Sequence, residues 1–143
     1  MDSSNDLSSR AANSLAPLLD AAEQAAAMAY APYSGFRVGA ALQLTNGSVI
    51  TGANVENASY GLTICAERAA LVRAVATFGP TVRIAAVAVV NINHAPCPPC
   101  GACRQMLAEF TEPDALVAFH AAEGTKVLRF DALLPQAFVK KLP

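Results

Sequence analysis

The chain has 143 residues, enough for one domain that buries a core without disulfide support. Apolar residues make up 54% of it and charged residues only 15%, against about 25% charged in an average soluble protein. We therefore expect other subunits to hide part of the surface, although a high alanine content is a simpler account of the same figures. The net charge of −1 argues against a nucleic-acid partner, and no apolar run approaches the roughly 20 residues of a membrane span.

The N-terminus and the cysteine content indicate domain organisation and compartment. The first ten residues are polar and lack the apolar segment of a signal peptide. We predict a single domain over 1–143, with a disordered tail at 1–12. Four cysteines without a signal peptide indicate a cytoplasmic protein, in which thiols more often bind metal or take part in catalysis than form disulfides.

The first half of the chain predicts a helix followed by a hairpin. The helix is expected from about 15 to 30, with Pro17 in its first turn, where a missing N–H costs little. Alternating apolar residues over 36–44 indicate a strand with one buried face. Asn46-Gly47 is a two-residue hairpin signal, so residues 48–55 should return as the antiparallel partner.

The second half alternates helices with strands. A helix is predicted from Thr63, as N-cap, to Phe78, with Gly79-Pro80 as its stop signal. The remaining predictions are a buried central strand at 82–90, a helix at 100–110, strands at 115–121 and 126–130, and a short terminal helix capped by Asp131. This order predicts an α/β protein with a mixed sheet and helices on its faces.

Two short blocks place three cysteines and a glutamate at predicted helix starts. Cys100 and Cys103 are one turn apart, so both can reach one metal ion, and Cys65 falls in the first turn of its own helix. Helix N-termini favour anions, which lowers the pKa of thiols there. Three thiolates can hold zinc and leave a fourth position for a nucleophilic water. Glu67 is placed to handle that water's proton.

Two residues near these blocks leave alternatives open. Three thiolates more than neutralise Zn²⁺, so Arg68 can compensate by donating to a thiolate, but a solvated helix residue explains it equally well. Cys97 can supply a fourth thiolate and close the site into a structural one, with Glu67 dispensable. We favour Cys97 as a bystander, because Pro98 and Pro99 hold it in an extended segment ahead of the helix.

Five segments match motifs of a known family: 32–41, 54–57, 65–68, 99–105 and 133–138. Together they resemble cytidine deaminase of the short, homotetrameric, three-cysteine type. The resemblance implies a three-layer α/β/α fold with a mixed five-stranded sheet and one zinc ion per subunit, bound by Cys65, Cys100 and Cys103. It also implies hydrolysis of cytidine and deoxycytidine to uridine and deoxyuridine in pyrimidine salvage, with Glu67 as base and acid. The family commonly has Ser-Pro before the second cysteine, where this chain has Cys97-Pro98-Pro99.

The resemblance also assigns contacts to a nucleoside substrate. Asn54 and Glu56 resemble the pair that binds the ribose hydroxyl, and their spacing places both on one face of a strand. Phe36 resembles the aromatic residue that packs on the base, and the backbone of Ala66 the group that contacts the pyrimidine edge. Solvation at a loop edge is the alternative for the polar pair, and an ordinary core position is the alternative for Phe36.

Two further aromatic residues bear on assembly. Tyr60 and Phe138 resemble residues that reach into the pocket of a neighbouring subunit. The resemblance therefore implies a homotetramer with shared active sites, which agrees with the low charged fraction of the chain.

Rival functions differ in the residues that they require. A deaminase of modified cytosine nucleosides, such as the blasticidin type, is the nearest enzymatic alternative, but Phe36, Asn54 and Glu56 favour the plain nucleoside. Deaminases of deoxycytidylate or of adenosine in tRNA resemble the chain in fold but have His in place of Cys65. The alternative from another class is a non-catalytic zinc module with four cysteine ligands.

Overall fold

The computed structural model describes residues 10–140 and contains a five-stranded sheet with helices on both faces. Residues 10–14 are helical and lead into α1 (Ala16–Ala26). Residues 1–9 of the predicted tail lie outside the described part, and 10–12 belong to this helical stretch. The later elements are β1 (Val38–Leu44), β2 (Val49–Ala53), a 3-10 turn (Tyr60–Leu62), α2 (Ala66–Phe78), β3 (Ile84–Asn91), α3 (Gly101–Ala108), β4 (Thr111–Ala121), β5 (Gly124–Arg129) and α4 (Phe130–Leu133).

The sheet is mixed, as predicted. Its strand order is β2-β1-β3-β4-β5. Strands β3 and β4 are parallel and connected through α3, and the other neighbours are antiparallel. The parallel pair places the carboxyl end of β3 beside the segment that leads into α3, where two of the three clustered cysteines lie.

Two apolar clusters separate the three layers. One face of the sheet packs against α1, through small side chains such as Ala22, Ala41 and Ala88. The other face packs against α2, α3 and α4, with Leu42, Leu71 and other fully buried residues between them. Among the described residues no helix is long and apolar enough to cross a membrane. The α/β/α layering that the resemblance implied is confirmed.

Helix α2 begins later than the sequence predicted, and this moves Cys65. Thr63 was expected as the N-cap, but the N-cap is Cys65 and the first helical residue is Ala66. Val55 and Ile64 exchange two backbone hydrogen bonds of 2.9 Å, which hold Ile64 extended, so the helix cannot start before it. Cys65 therefore precedes the first turn and occupies the N-cap position, where its side chain makes no capping hydrogen bond.

The other helix ends differ in the same way. Helix α1 ends at Ala26 instead of residue 30, because Tyr30 forms a bridge with Val55, accepting a 2.8 Å hydrogen bond from the Glu56 N–H. The N-cap of α4 is Arg129 and its side chain makes no capping bond, so the predicted Asp131 cap is wrong and Asp131 lies in the first turn.

Two strand predictions were right in kind but wrong in detail. The β1–β2 hairpin exists, but its loop has three residues, 45–47, because Leu44 pairs with Ser48 and Gly47 takes a positive φ of 89°. Strand β4 begins at Thr111 rather than 115. The register against β3 shifts between Ile84 and Ala86, and this bulge accommodates Pro113, which cannot donate to a regular ladder.

Candidate active site

Three thiols meet where the N-termini of α2 and α3 approach each other. The Sγ atoms of Cys65, Cys100 and Cys103 all lie within 4.8 Å of one another. Cys65 Sγ is 3.9 Å from Cys100 Sγ, which is 3.2 Å from Cys103 Sγ. Cys65 and Cys100 are the N-caps of their helices, and Cys100 Sγ accepts a 3.4 Å hydrogen bond from the Cys103 N–H. Two helix N-termini therefore point at one thiol cluster.

The cluster fits a zinc ion. Tetrahedral zinc with Zn–S bonds of about 2.3 Å requires sulfur atoms about 3.8 Å apart, close to the separation of Cys65 and Cys100, whereas Cys100 and Cys103 would have to open slightly. Hydrogen bonds from the Cys103 thiol and, more weakly, from Arg68 lower the pKa of Cys65 to about 5. The same hydrogen bond to Cys65, together with burial, raises the pKa of Cys103. One thiolate is thus ready to bind a metal, and binding would displace the remaining protons.

Consecutive residues of α2 place a carboxyl group and a cation beside the thiols. Glu67 is only 4% exposed, and this burial raises the pKa of its carboxyl group. Arg68 Nη2 donates to Cys65 Sγ at 3.5 Å and to the Thr63 carbonyl at 3.4 Å. Arg68 therefore contacts a thiol, which agrees with the first of the two interpretations of this residue. Its positive charge offsets the negative charge of a thiolate next to Glu67.

Cys97 lies outside the group of three thiols that could share an ion. Its backbone N–H donates to the His120 carbonyl at 2.9 Å, and its side chain packs against the main core cluster. Burial, reinforced by the nearby negative groups, raises the pKa of Cys97 to about 11. Because Cys97 is not part of the group of thiols that lie within 4.8 Å of one another, the geometry does not support the four-cysteine structural site.

Asn54 connects the end of β2 to the start of β1. Its Oδ1 accepts from the Val38 N–H at 2.8 Å, and its Nδ2 donates to the Phe36 carbonyl at 2.8 Å. The amide is buried and uses one donor and one acceptor in this way. Each of its two polar atoms keeps capacity for a further hydrogen bond.

Glu56 holds the loop that precedes β1. Its Oε1 accepts from the N–H groups of Tyr33 and Ser34 at 3.0 and 3.1 Å, and its Oε2 accepts from the Ser34 hydroxyl group. These hydrogen bonds, the Ser34 hydroxyl first, keep the pKa of Glu56 below its usual range. Glu56 and Asn54 are both buried while Val55 between them is half-exposed, so the two face the same side, as their spacing predicted.

A cavity of about 280 Å³ joins these groups. The lining residues include Cys65, Cys97, Cys100, Ala66 and Glu67, together with the predicted substrate residues Phe36, Asn54, Glu56 and Tyr60. Tyr60 lines the pocket of its own subunit although its side chain is 83% exposed. Phe138 is not among the residues that line this cavity and is 75% exposed. The structure therefore brings together all the predicted site residues except Phe138. Arg68 does not line the cavity but contacts Cys65.

The sequence did not predict several lining residues of the pocket, namely Ser34, Val38, Thr63, Cys97 and Pro98. Ser34, which had no predicted role in the site, lines the cavity and binds Glu56. Thr63, expected as a helix cap, lines it too, and its Oγ1 is buried without a hydrogen-bond partner. Ser34 lies inside a matched motif at 32–41, which was the available signal, whereas no pattern distinguished Thr63.

The fold and the site define a hydrolytic zinc enzyme, because three thiols leave a coordination position to water and a buried carboxyl group lies beside them. The comparisons specify the family. The family model for the cytidine and deoxycytidylate deaminase zinc-binding region matches residues 13–119. The chain belongs to this family.

Known relatives match nearly the whole chain. A cytidine deaminase from Halalkalibacterium halodurans is 50% identical over 122 residues, which are 85% of this chain and 91% of that protein. One from Mycobacterium tuberculosis is 45% identical over 117 residues, or 82% and 84%. The crystal structure of cytidine deaminase from Burkholderia pseudomallei matches with a TM-score of 0.75 at 47% identity, covering 85% of this chain and 97% of that one. These matches confirm the fold and the family that the sequence motifs indicated.

Proposed function

We propose that this enzyme hydrolyses cytidine and deoxycytidine to uridine and deoxyuridine, with release of ammonia, in pyrimidine salvage. The observation that carries the proposal is the burial of Glu67 beside the three-thiol cluster, at one end of a cavity. Burial raises the pKa of this carboxyl group, and a group that both accepts and donates protons near neutral pH needs such a shift.

Glu67 carries the protons of the reaction. Cys65, Cys100 and Cys103 would hold the zinc ion, which would lower the pKa of a water molecule towards neutral. Glu67 would accept a proton from the attacking water, whose oxygen adds to the amino-bearing carbon of the base, and would pass this proton to the neighbouring ring nitrogen. It then moves the proton of the added hydroxyl group to the amino group, so the C–N bond breaks and ammonia leaves. The water oxygen remains on the ring as the carbonyl oxygen of uridine.

The other end of the cavity binds the sugar. Asn54 and Glu56 line it and keep hydrogen-bonding capacity beyond their contacts within the chain, so they can bind a ribose hydroxyl group. Phe36 lines the same cavity and packs on the base, and the backbone of Ala66 contacts the pyrimidine edge. Asn54 and Glu56 also fix the loop that carries Phe36, so sugar and base recognition share one support.

The working form is a cytoplasmic homotetramer of single-domain subunits. Tyr60 and Phe138 each expose an aromatic ring. Tyr60 lines the cavity of its own subunit and Phe138 does not, and either ring can reach the pocket of a neighbouring subunit. Shared sites of this kind explain why the chain carries so few charges. A reducing compartment suits three thiols that must stay reduced to bind metal.

The direct test follows the ultraviolet absorbance of cytidine during incubation with the purified enzyme. Glu67→Gln should keep its zinc and lower kcat by at least about a hundredfold, the usual contribution of one proton transfer. Glu123→Gln, which changes an exposed glutamate in the β4–β5 turn, is the matched control and should keep full rate. Full activity of Glu67→Gln would exclude the mechanism. Deoxycytidine, deoxycytidylate and a modified cytosine nucleoside complete the substrate panel. Of these three, only deoxycytidine should react at a rate comparable to that of cytidine.

The ligand assignment has its own test, by elemental analysis of the purified variants. Cys65→Ser should lose bound zinc, because it removes one of the three thiols that can share the ion. Cys97→Ser should keep one zinc per subunit. Loss of zinc from Cys97→Ser would support the four-cysteine structural site instead.

A further inference from the structure

The guanidinium group of Arg104 links two segments that are distant in sequence. Its Nε donates to the Pro99 carbonyl at 2.8 Å, and its Nη1 donates to the Leu133 carbonyl at 2.8 Å. Both hydrogen bonds are partly buried. Pro99 directly precedes Cys100, and Leu133 is the last residue of α4. One side chain therefore joins the turn before a clustered thiol to the C-terminal segment.

The turn before α3 has few donors of its own. Pro96, Pro98 and Pro99 have no N–H group, and the last backbone donor before Cys100 is Cys97, which binds the His120 carbonyl at 2.9 Å. Pro98 and Pro99 can therefore form backbone hydrogen bonds only through their carbonyl groups. Arg104 supplies that bond at Pro99.

The C-terminal segment depends on the same helix. Helix α4 has only four residues, so the carbonyl groups at its end lack helical partners, and Arg104 binds the one at Leu133. The neighbouring Gln105 donates from Nε2 to the Phe138 carbonyl at 3.0 Å. Helix α3 thereby fixes the segment 133–138 at both ends, with the ring of Phe138 left exposed.

We propose that Arg104 is a positioning residue that orients the Pro99-Cys100 turn in its own subunit and, through the C-terminal segment, the Phe138 ring offered to a neighbour. The second half rests on the proposed function, since it requires Phe138 to enter a neighbouring active site. A single guanidinium group then couples metal binding in one subunit to substrate binding in the next. A lysine could not replace it fully, because a planar fork binds two separate carbonyl groups and an ammonium group acts as a point charge.

The first test measures how fast a chromophoric chelator removes zinc from the purified holoenzyme. Arg104→Met should lose zinc about 10–100 times faster than the wild type, as for other residues that orient a ligand, and Arg104→Lys should fall between the two. Arg129→Met is the matched control, because Arg129 occupies the N-cap position of α4 nearby and its guanidinium group binds the Asp131 carboxylate on the surface. An unchanged rate for Arg104→Met, or an equal acceleration in Arg129→Met, would overturn the proposal.

The second test separates the two effects in mixed assemblies. Arg104→Met subunits are co-expressed with a large excess of Glu67→Gln subunits, so that most active sites that turn over have neighbours with an intact Arg104. The KM for cytidine, raised in the pure variant, should return towards the wild-type value, while the variant subunits still lose zinc quickly. A KM that stays high would overturn the coupling through Phe138. Absence of deaminase activity in the wild type would refute the proposed function, and the zinc-release rates would still decide the role of Arg104 at the turn.

Discussion

At the scale of single residues, the polar side chains of the pocket hold the backbone in place through hydrogen bonds within the chain, besides being available to a ligand. Asn54 binds one backbone acceptor and one backbone donor two residues apart, a combination that only an amide side chain satisfies in this geometry. Because this amide holds the backbone of both Phe36 and Val38, a change at Asn54 affects the wall of the cavity proposed to bind the base as well as the end proposed to bind the sugar.

Asn54→Asp tests this dual role. The carboxylate can still accept from the Val38 N–H, but it cannot donate to the Phe36 carbonyl, so two oxygens face each other at a buried site. We expect a loss of about 1–3 kcal/mol in the free energy of unfolding and a raised KM for cytidine. Asn46→Asp is the control, because its Oδ1 only accepts from the Ser48 N–H in an exposed loop and Asp can do the same. Equal stability of the two variants in urea unfolding would refute the role.

The residues of the metal cluster could be predicted because their chemistry is local. The i, i+3 spacing of Cys100 and Cys103 places both at one helix start, and the structure agrees. The side-chain contacts of Ser34 and Arg104 could not be predicted, because they join segments more than 20 residues apart in sequence. Nothing in the local pattern around either residue reveals its partner.

At the scale of elements, two glycines set how closely the helices approach the sheet. A Cβ at Gly52 in β2 would lie 2.4 Å from the Ala70 nitrogen and 2.7 Å from the Ala66 oxygen of α2. A Cβ at Gly39 in β1 would lie 1.9 Å from the Ala22 oxygen of α1, on the opposite face. Helix α2 carries Glu67 and follows Cys65, so the approach at Gly52 positions the site and the approach at Gly39 does not.

Gly52→Ala and Gly39→Ala form a matched pair. Each forces a helix away from the sheet and should cost about 1–3 kcal/mol or more in the free energy of unfolding. Only Gly52→Ala should also weaken zinc binding, because it displaces α2 relative to the thiols of α3. Denaturant unfolding and chelator competition measure the two effects separately. Equal zinc affinity in both folded variants would show that the packing of α2 does not tune the metal site.

The type of each element could be predicted from the periodicity of apolar residues. The ends of the elements could not be predicted where hydrogen bonds to distant segments determine them. Residues 82–90 were recognised as a central strand from a run of apolar residues, and Gly79 ends α2 with a φ of 91° as its stop signal predicted. The start of α2 was misplaced because the Val55–Ile64 bridge overrides the capping preference of Thr63. The start of β4 was misplaced because a bulge accommodates Pro113.

At the scale of the whole molecule, several apolar side chains are exposed on the segment that follows β2 and also carries the cavity residues Asn54, Glu56 and Tyr60. Val55, Tyr60, Leu62 and Ile64 form an apolar patch, connected by the backbone bridge between Val55 and Ile64 and by the 3-10 turn that carries Tyr60 and Leu62. Leu62 is 65% exposed. An exposed apolar patch beside an active site is typical of a surface that a partner covers, and in the proposed homotetramer the partner is another subunit.

Leu62→Lys should therefore weaken assembly and activity together. A charge in the apolar patch would have to be desolvated on association, so light scattering should show a mass below the roughly 59 kDa of a tetramer, and specific activity should fall as the protein is diluted. Val49→Lys changes a half-exposed residue at the other end of β2 and should leave both unchanged. Because zinc binding lies within one subunit, Leu62→Lys should keep its metal. A fully assembled and active Leu62→Lys enzyme would show that the tetramer does not form through the apolar patch.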